Sequence, residues 1–173
     1  MEKPLVNKVA ASGLITIKLE EFSPETKIVT FELKDYLFME MILKEKDFRE
    51  ALKAHDWTQY QDAVLLVYCS TDAIIPMWAY MLVAAYASPH AKELFQGTEE
   101  QYYQAAFQQI LSTLDIESYK GQRIVIKGCG DKAVPASAYL ELTRLLQPHA
   151  RSIMYGEPCS TVPIYKRPKG SSE

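Results

Sequence analysis

The stretch Ala63–Cys69, AVLLVYC, has no polar face. A strand of this kind is stable only when covered on both sides, which is the habit of parallel sheets with crossover helices. The segment after it, Ala73–Ala87 (AIIPMWAYMLVAAYA), is apolar nearly all round and predicts a helix buried on more than one side. The alternation then continues. A helix is expected over about Glu99–Leu114, striped by Tyr103, Phe107, Ile110, Leu111 and Leu114. A strand follows in QRIVIKG, a helix in PASAYLELTRLLQ, and a strand in RSIMYG. Strand–helix–strand–helix–strand after Asp62 implies right-handed crossovers and a mostly parallel sheet. Pro163 confines VPIYK to an edge.

Upstream, Ile15, Ile17 and Leu19 alternate with Thr16, Lys18 and Glu20, and Val29, Phe31 and Leu33 repeat the pattern. The period of two reads as two strands, and the short link SPET predicts that they pair as an N-terminal hairpin at one edge of the sheet. Asp35 is placed to cap a helix reaching about Ala54, with Leu37, Met41, Phe48 and Leu52 as its buried stripe. No internal repeat or divider stands out. The expected fold is therefore α/β: one domain over residues 1–165, a mostly parallel central sheet with helices on both faces, and a flexible tail over 166–173.

At 173 residues such a chain can bury a full core. Its net charge of −3 lacks the basic stripe of a nucleic-acid binder. No apolar run is long enough to span a bilayer, and MEKPLVNKVAASG lacks the apolar segment of a secretory signal. The expected compartment is the cytoplasm, where three cysteines are thiols, metal ligands or redox groups rather than disulfides.

Those cysteines all stand at expected strand ends: Cys69 in YCSTD, Cys129 in KGCGD and Cys159 in GEPCSTV. Parallel strands in one sheet bring their C-terminal ends to one edge, where ligands bind. The three thiols are thus expected to meet, accompanied by Asp72, Asp131 and Glu157. Ser70, Thr71, Gly128, Gly130, Ser160 and Thr161 would add hydroxyls and backbone N–H groups. Thiolates with carboxylates nearby suit zinc, iron or an iron–sulfur cluster. The competing reading is that the cysteines pack as small hydrophobes, since no Cys-x-x-Cys spacing marks a metal site. No histidine lies in these loops to serve as a base, although His90 or His149 would do so if folded in. Lys127 and Lys132 flank Cys129 and would favour its thiolate, with Asp131 opposing them. GCGDK lacks the spacing of a phosphate loop and reads as a tight turn. His55, in AHDW, reads as a cation at a helix C-terminus beside a packed Trp57.

The segments NKVAASGLITI, ILKEKDFREALKAHDW, STDAIIPMWAYML and IKGCGDKAVPASAYLELTRLLQPHARSIMYGEPCSTVPIYK together resemble a Bacteroidetes protein family catalogued only as a domain of unknown function. The resemblance covers nearly the whole chain and is most specific in its final block. It implies an association with iron–sulfur cluster assembly, through neighbouring sulfur-mobilisation genes, and it assigns no catalytic residue. The leading expectation is an accessory protein binding metal or a cluster through Cys69, Cys129 and Cys159, with iron–sulfur assembly proteins as partners. The alternative is a metal-free module that docks a partner through its apolar or its charged helix. A thiol-dependent enzyme using Cys159 or Cys129 ranks below both.

Overall fold

The computed structural model describes residues 7–9, 13–128, 130–157 and 160–170. The chain divides into two compact units, Met1–Pro24 with Tyr103–Glu173, and Glu25–Tyr102. The strands are β1 (Asn7–Val9), β2 (Leu14–Lys18), β3 (Ile28–Glu32), β4 (Val64–Tyr68), β5 (Glu93–Gln96), β6 (Arg123–Lys127), β7 (Ser152–Glu157) and β8 (Ser160–Lys166). The helices are α1 (Glu45–Ala54), α2 (Met77–Ala87), α3 (Glu99–Ser112) and α4 (Ala136–Leu146).

The mixed α/β class with mostly parallel strands is present, and its strands are shared between two sheets. The five-stranded sheet runs β1-β2-β6-β7-β8 and the three-stranded sheet β3-β4-β5. Strands β2, β6 and β7 pair in parallel, as do β3, β4 and β5. The N-terminal hairpin at the sheet edge exists, but it joins β1 to β2. The alternating segments β2 and β3, expected to pair with each other, enter different sheets. Alternation shows that one face of a strand is buried and says nothing of its neighbour. Strand β8 is an edge strand with Pro163 inside it, as required of that residue, and it runs on to Lys166. Arg167 beyond it is held by hydrogen bonds to the carbonyls of Arg151, Ala150 and Pro148.

Each unit contains the same order of parts: strand, helix, strand, helix, strand, with sheet order following chain order. Crossovers of one hand progressing in one direction place their helices on one face. Accordingly, Phe48 and Leu52 of α1 and Ala79, Val83 and Ala87 of α2 share one cluster with Phe31, Leu65 and Val67. In the other unit Phe107 and Leu111 of α3 and Ala138, Leu142 and Leu146 of α4 join Ile15, Ile17, Ile124, Ile126 and Ile153. Val64, Leu66 and Val125, on the opposite faces of their strands, are also buried.

The two halves are an internal repeat, which inspection of the sequence did not reveal. The pairings Val64 with Glu93 and Arg123 with Ser152 stand at identical spacing. At that constant offset Asp72 meets Asp131, Pro76 meets Pro135, Tyr80 meets Tyr139, Pro89 meets Pro148, and His90 meets His149. Pro76 and Pro135 each begin a helix in extended geometry, with ψ of 142° and 144°. Gly97 and Gly156 close the pattern, both at positive φ, 143° and 121°. What persists is the chemistry of helix starts and strand ends, while the apolar positions between have drifted.

Residues 36–44 depart from expectation. The helix begins only at Glu45, and Phe38–Ile42 forms a tight turn in which Phe38 N–H donates to Ile42 C=O at 2.7 Å. Met39 and Glu40 both take left-handed backbone, φ 51° and 58°. Met41, expected in a buried stripe, is 69% exposed. Apolar spacing reads as helix whether the residues face a core or the solvent, which is why the pattern misled.

The aromatic side of the three-stranded unit also corrects the reading of His55. Its ring packs among Phe31, Trp57 and Tyr60, and its Nε2 lies 2.8 Å from the Tyr60 hydroxyl. Burial lowers its pKa despite the neighbouring Asp56. His55 thus stands at the end of α1 beside Trp57 and bridges the aromatic cluster, where burial disfavours its cationic form. Burial, with the charges of Tyr36 and Asp56, pushes Tyr60 up to about 12.

A non-glycine residue in left-handed geometry costs about 1–2 kcal/mol, so Glu40→Gly should stabilise the chain. The expected gain, after glycine's unfolded-state entropy is counted, is about 1 kcal/mol, measured as a raised urea midpoint with unchanged slope. An unchanged or lowered midpoint would show that the Lys34–Glu40 contact at 4.0 Å outweighs the strain.

Candidate functional site

The C-terminal edge of the five-stranded sheet carries a cavity of about 230 Å³. Lys18 ends β2, Lys127 ends β6, and Tyr155 approaches the end of β7. These three line it together with Glu20, Gly128, Gly130, Lys132, Val134 and Tyr139. Two ion pairs brace it: Lys18 with Glu21 at 3.2 Å, and Lys127 with Glu157 at 3.3 Å. The second joins the ends of neighbouring parallel strands.

Both glycines in the loop after β6 are there for want of space. A Cβ at Gly128 would overlap the hydroxyl end of Tyr155, and one at Gly130 would overlap the Glu20 carboxylate. The Tyr155 hydroxyl lies 3.5 Å from the Gly128 carbonyl, and its ring meets Tyr139 edge-on at 5.8 Å. A phenol and a carboxylate therefore approach the backbone at Gly128 and Gly130. Gly156, at positive φ and with Ser160 C=O 2.6 Å from where its Cβ would stand, pairs with Thr161 near the end of the β7–β8 ladder.

The repeat supplies an internal comparison. Glu32 faces Tyr68 in its sheet as Lys18 faces Lys127 in the other, so the two hold equivalent positions. In the three-stranded unit the Glu32 carboxylate accepts hydrogen bonds from Ser70 N–H and Lys34 N–H, both at 3.0 Å. This carboxylate stitches the loop after β4 to the end of β3. Burial works against the charge on Glu32. The N–H groups of Lys34 and Ser70, the Ser70 hydroxyl and the Lys34 ammonium outweigh it and lower the pKa. At one strand-end edge the start of the loop is thus held by the chain's own carboxylate. At the other a lysine stands in its place, beside the cavity.

The expected meeting of three cysteines at one sheet edge does not follow from this topology. Cys69 ends a strand of the three-stranded sheet, whereas the strands preceding Cys129 and Cys159 belong to the five-stranded one. The expectation assumed a single sheet. Cys69 is a half-buried free thiol with its Sγ 3.2 Å from the Thr71 hydroxyl. Asp72 is exposed in the same loop and lines a different cavity, beside Ile74 and Pro76. Cys129 and Cys159 lie outside the described residues. Gly128 and Gly130 line the sheet-edge cavity, Asp131 is exposed in the same loop, and Ser160 and Thr161 open β8 opposite Glu157 and Gly156. Among the described residues no three His, Cys, Asp or Glu side chains gather as a metal site. His90 and His149 occupy equivalent places after α2 and α4, and His149 pairs with Glu117 at 3.2 Å. Lys18, Glu20 and Tyr155 were not singled out from the sequence. The signal was present in the strand pattern, since Lys18 ends its strand and Tyr155 stands two residues before the end of its own, and only the right partners were needed.

Glu32 generates a pH prediction. Its folded pKa is lowered from the ordinary value near 4.5, so it stabilises the fold above that pH, and the contribution is lost as pH falls through the lowered value. Glu32→Gln should cost about 1 kcal/mol at pH 7 for a charge-assisted bond near the surface. Urea unfolding should show the gap to wild type narrowing as the pH falls below about 4.5. A gap that persists there would rule out a role for the charge.

No helix among the described residues is long and apolar enough to cross a membrane. A family model described as protein of unknown function (DUF2480) matches residues 3–167. No curated protein and no solved structure matches the chain.

Proposed function

The chain belongs to the DUF2480 family, and on that footing we propose that it is an accessory protein that holds a metal ion or iron–sulfur cluster at the open edge of its five-stranded sheet. The observation that carries this reading is the Lys127–Glu157 pair at 3.3 Å. It ties together the ends of β6 and β7, and Cys129 and Cys159 each follow one member of the pair by two residues. Their thiolates are the protein's soft ligands, the type that selects zinc, iron and clusters. Glu20, whose carboxylate packs against Gly130, and Asp131 are the oxygen donors at hand. Lys18, Lys127 and Lys132 suit such a site, because neighbouring cations favour the thiolate and offset the negative charge of a thiolate-bound centre. Two thiolates are half the set of a four-cysteine cluster. The remainder falls to these carboxylates or to a residue of another protein, as an assembly role would require.

Cys69 takes no part in this reading. The residue after it, Ser70, is held to the end of β3 by Glu32, and the Cys69 thiol lies 3.2 Å from the Thr71 hydroxyl. A metal-free docking role rests on a separate observation, the apolar outer surface of α2.

The test is metal content and visible absorption of protein prepared without oxygen, with iron and sulfide supplied. Wild type and Cys69→Ser should bind alike. Cys129→Ser and Cys159→Ser should lose binding while unfolding free energies change by less than about 1 kcal/mol, the range of surface substitutions. A wild type that takes up no metal or cluster, or an equal loss in Cys69→Ser, overturns the proposal.

A further inference from the structure

Within Glu25–Tyr102, one class of side chain is on the wrong side of the fold. Ile74 is 91% exposed, Met39 75%, Met77 and Met81 70% each, Met41 69%, Ile42 58% and Phe38 48%. With about 200 Å² for a fully exposed side chain of this size, they present on the order of 900 Å² of apolar surface. The largest patch on a typical monomer is about 300–600 Å², while each partner in a standard stable interface contributes about 800 Å². Summed over the seven side chains, of which Met41, Ile42 and Ile74 line one groove, the exposed area is of the size one side of a dimer needs.

The fold does not demand this surface. At the repeat offset Met81 corresponds to Leu140, Leu82 to Glu141 and Ala85 to Arg144. On α4 the latter two form an ion pair at 2.6 Å, whereas α2 carries no charge from Met77 to Ala87. Leu140 is 71% exposed, as Met81 is, but Glu141 and Arg144 give α4 charge that α2 lacks throughout.

The shape is that of a projection beside a recess. Met39 and Glu40, both in left-handed backbone, form the tip of the Phe38–Ile42 turn. Strained backbone of this kind persists where a function holds it. Next to it lies a groove of about 430 Å³ between Met41–Leu43 and Asp72–Pro76. A tip and a groove on one surface are what a two-fold interface requires, since each copy must offer both halves of the contact. Lys44, its Nζ 3.5 Å from the Phe38 ring centroid, is on the tip side and Asp72 is on the groove side, while the Glu40 carboxylate of the tip lies 4.0 Å from the Lys34 ammonium of its own chain.

We propose that this surface binds a second copy of the chain about a two-fold axis, the Met39 tip of each copy seated in the Ile74 groove of the other. The proposal is independent of the metal reading, whose test involves none of these residues.

Light scattering across a dilution series decides it. Wild type should have twice the chain mass of 19.7 kDa at about 50 μM. Met77→Glu combined with Met81→Glu should be monomeric, with unchanged circular dichroism and a dissociation constant raised at least about 100-fold. A second pair of variants guards against misfolding. Met39→Glu and Ile74→Lys should each be monomeric alone and form a one-to-one heterodimer when mixed, since the carboxylate introduced on the tip of one then faces the ammonium introduced in the groove of the other. A wild type that is monomeric at about 50 μM, a dimer untouched by these changes, or single variants that fail to pair on mixing would overturn the proposal. The surface would then belong to a different partner.

Discussion

A strand without a polar face is the constraint from which the rest of this molecule follows. Ala63, Val64, Leu65 and Leu66 are each 1% exposed or less, and Ile124 and Val125 are fully buried. Such strands cannot sit on a solvated sheet. They need neighbours on both edges and cover on both faces. Parallel neighbours also need long crossovers, which is what brings a helix into each connection. The chain meets this demand twice, with β3-β4-β5 and with β2-β6-β7. The helix that follows each central strand begins behind a proline at equivalent positions, Pro76 and Pro135.

Having built the same frame twice, the chain uses its two strand-end edges differently. One ends in Glu32, which answers the backbone donors of Lys34 and Ser70. The other ends in Lys18, which turns to Glu21 and leaves a cavity beside the loop after β6. At one register position the first half has a carboxylate that holds the start of its loop, and the second half has an ammonium beside a cavity. The glycines at 128 and 130 belong to the same divergence. Their counterparts, Cys69 and Thr71, carry side chains that contact each other, whereas the glycines admit Tyr155 and Glu20.

The parts of the fold that were legible in the sequence are those where burial writes a period. The strands around Leu65, Ile124 and Ile153, the later helices and the edge position of Pro163 all fall there. Partnership was not legible: β2 and β3 carry equal alternation, and only the structure assigns them to different sheets. Strand β5 was missed because Glu93–Gln96 is four residues long, with exposed ends. The repeat escaped because apolar residues exchange freely in a core, leaving scattered prolines, a histidine and a glycine as its trace. For the site, the loops after β6 and β7 were placed at strand ends from sequence alone, but the gathering of all three cysteines presupposed one sheet. Lys18 and Glu20 could not be recognised until β2 was known to lie beside β6.

The repeat also separates what folding requires from what it does not. Residues that agree between the halves, such as Tyr80 with Tyr139 and Gly97 with Gly156, serve turns, helix packing and strand ends in both. Where the halves disagree, stability of the shared frame is a weak explanation, because the other half folds without the feature. Two disagreements stand out by that criterion. One is the open edge around Lys18, Lys127 and Tyr155. The other is the outer surface of α2, where methionines stand exposed beside a backbone turn that two non-glycine residues enter at a cost. They lie in different units and involve different chemistry, charge at one and apolar area at the other. Selection acting on the frame alone would have preserved neither the strained turn nor the exposed methionines, so the differences between the halves, more than their likeness, mark where this protein meets other molecules.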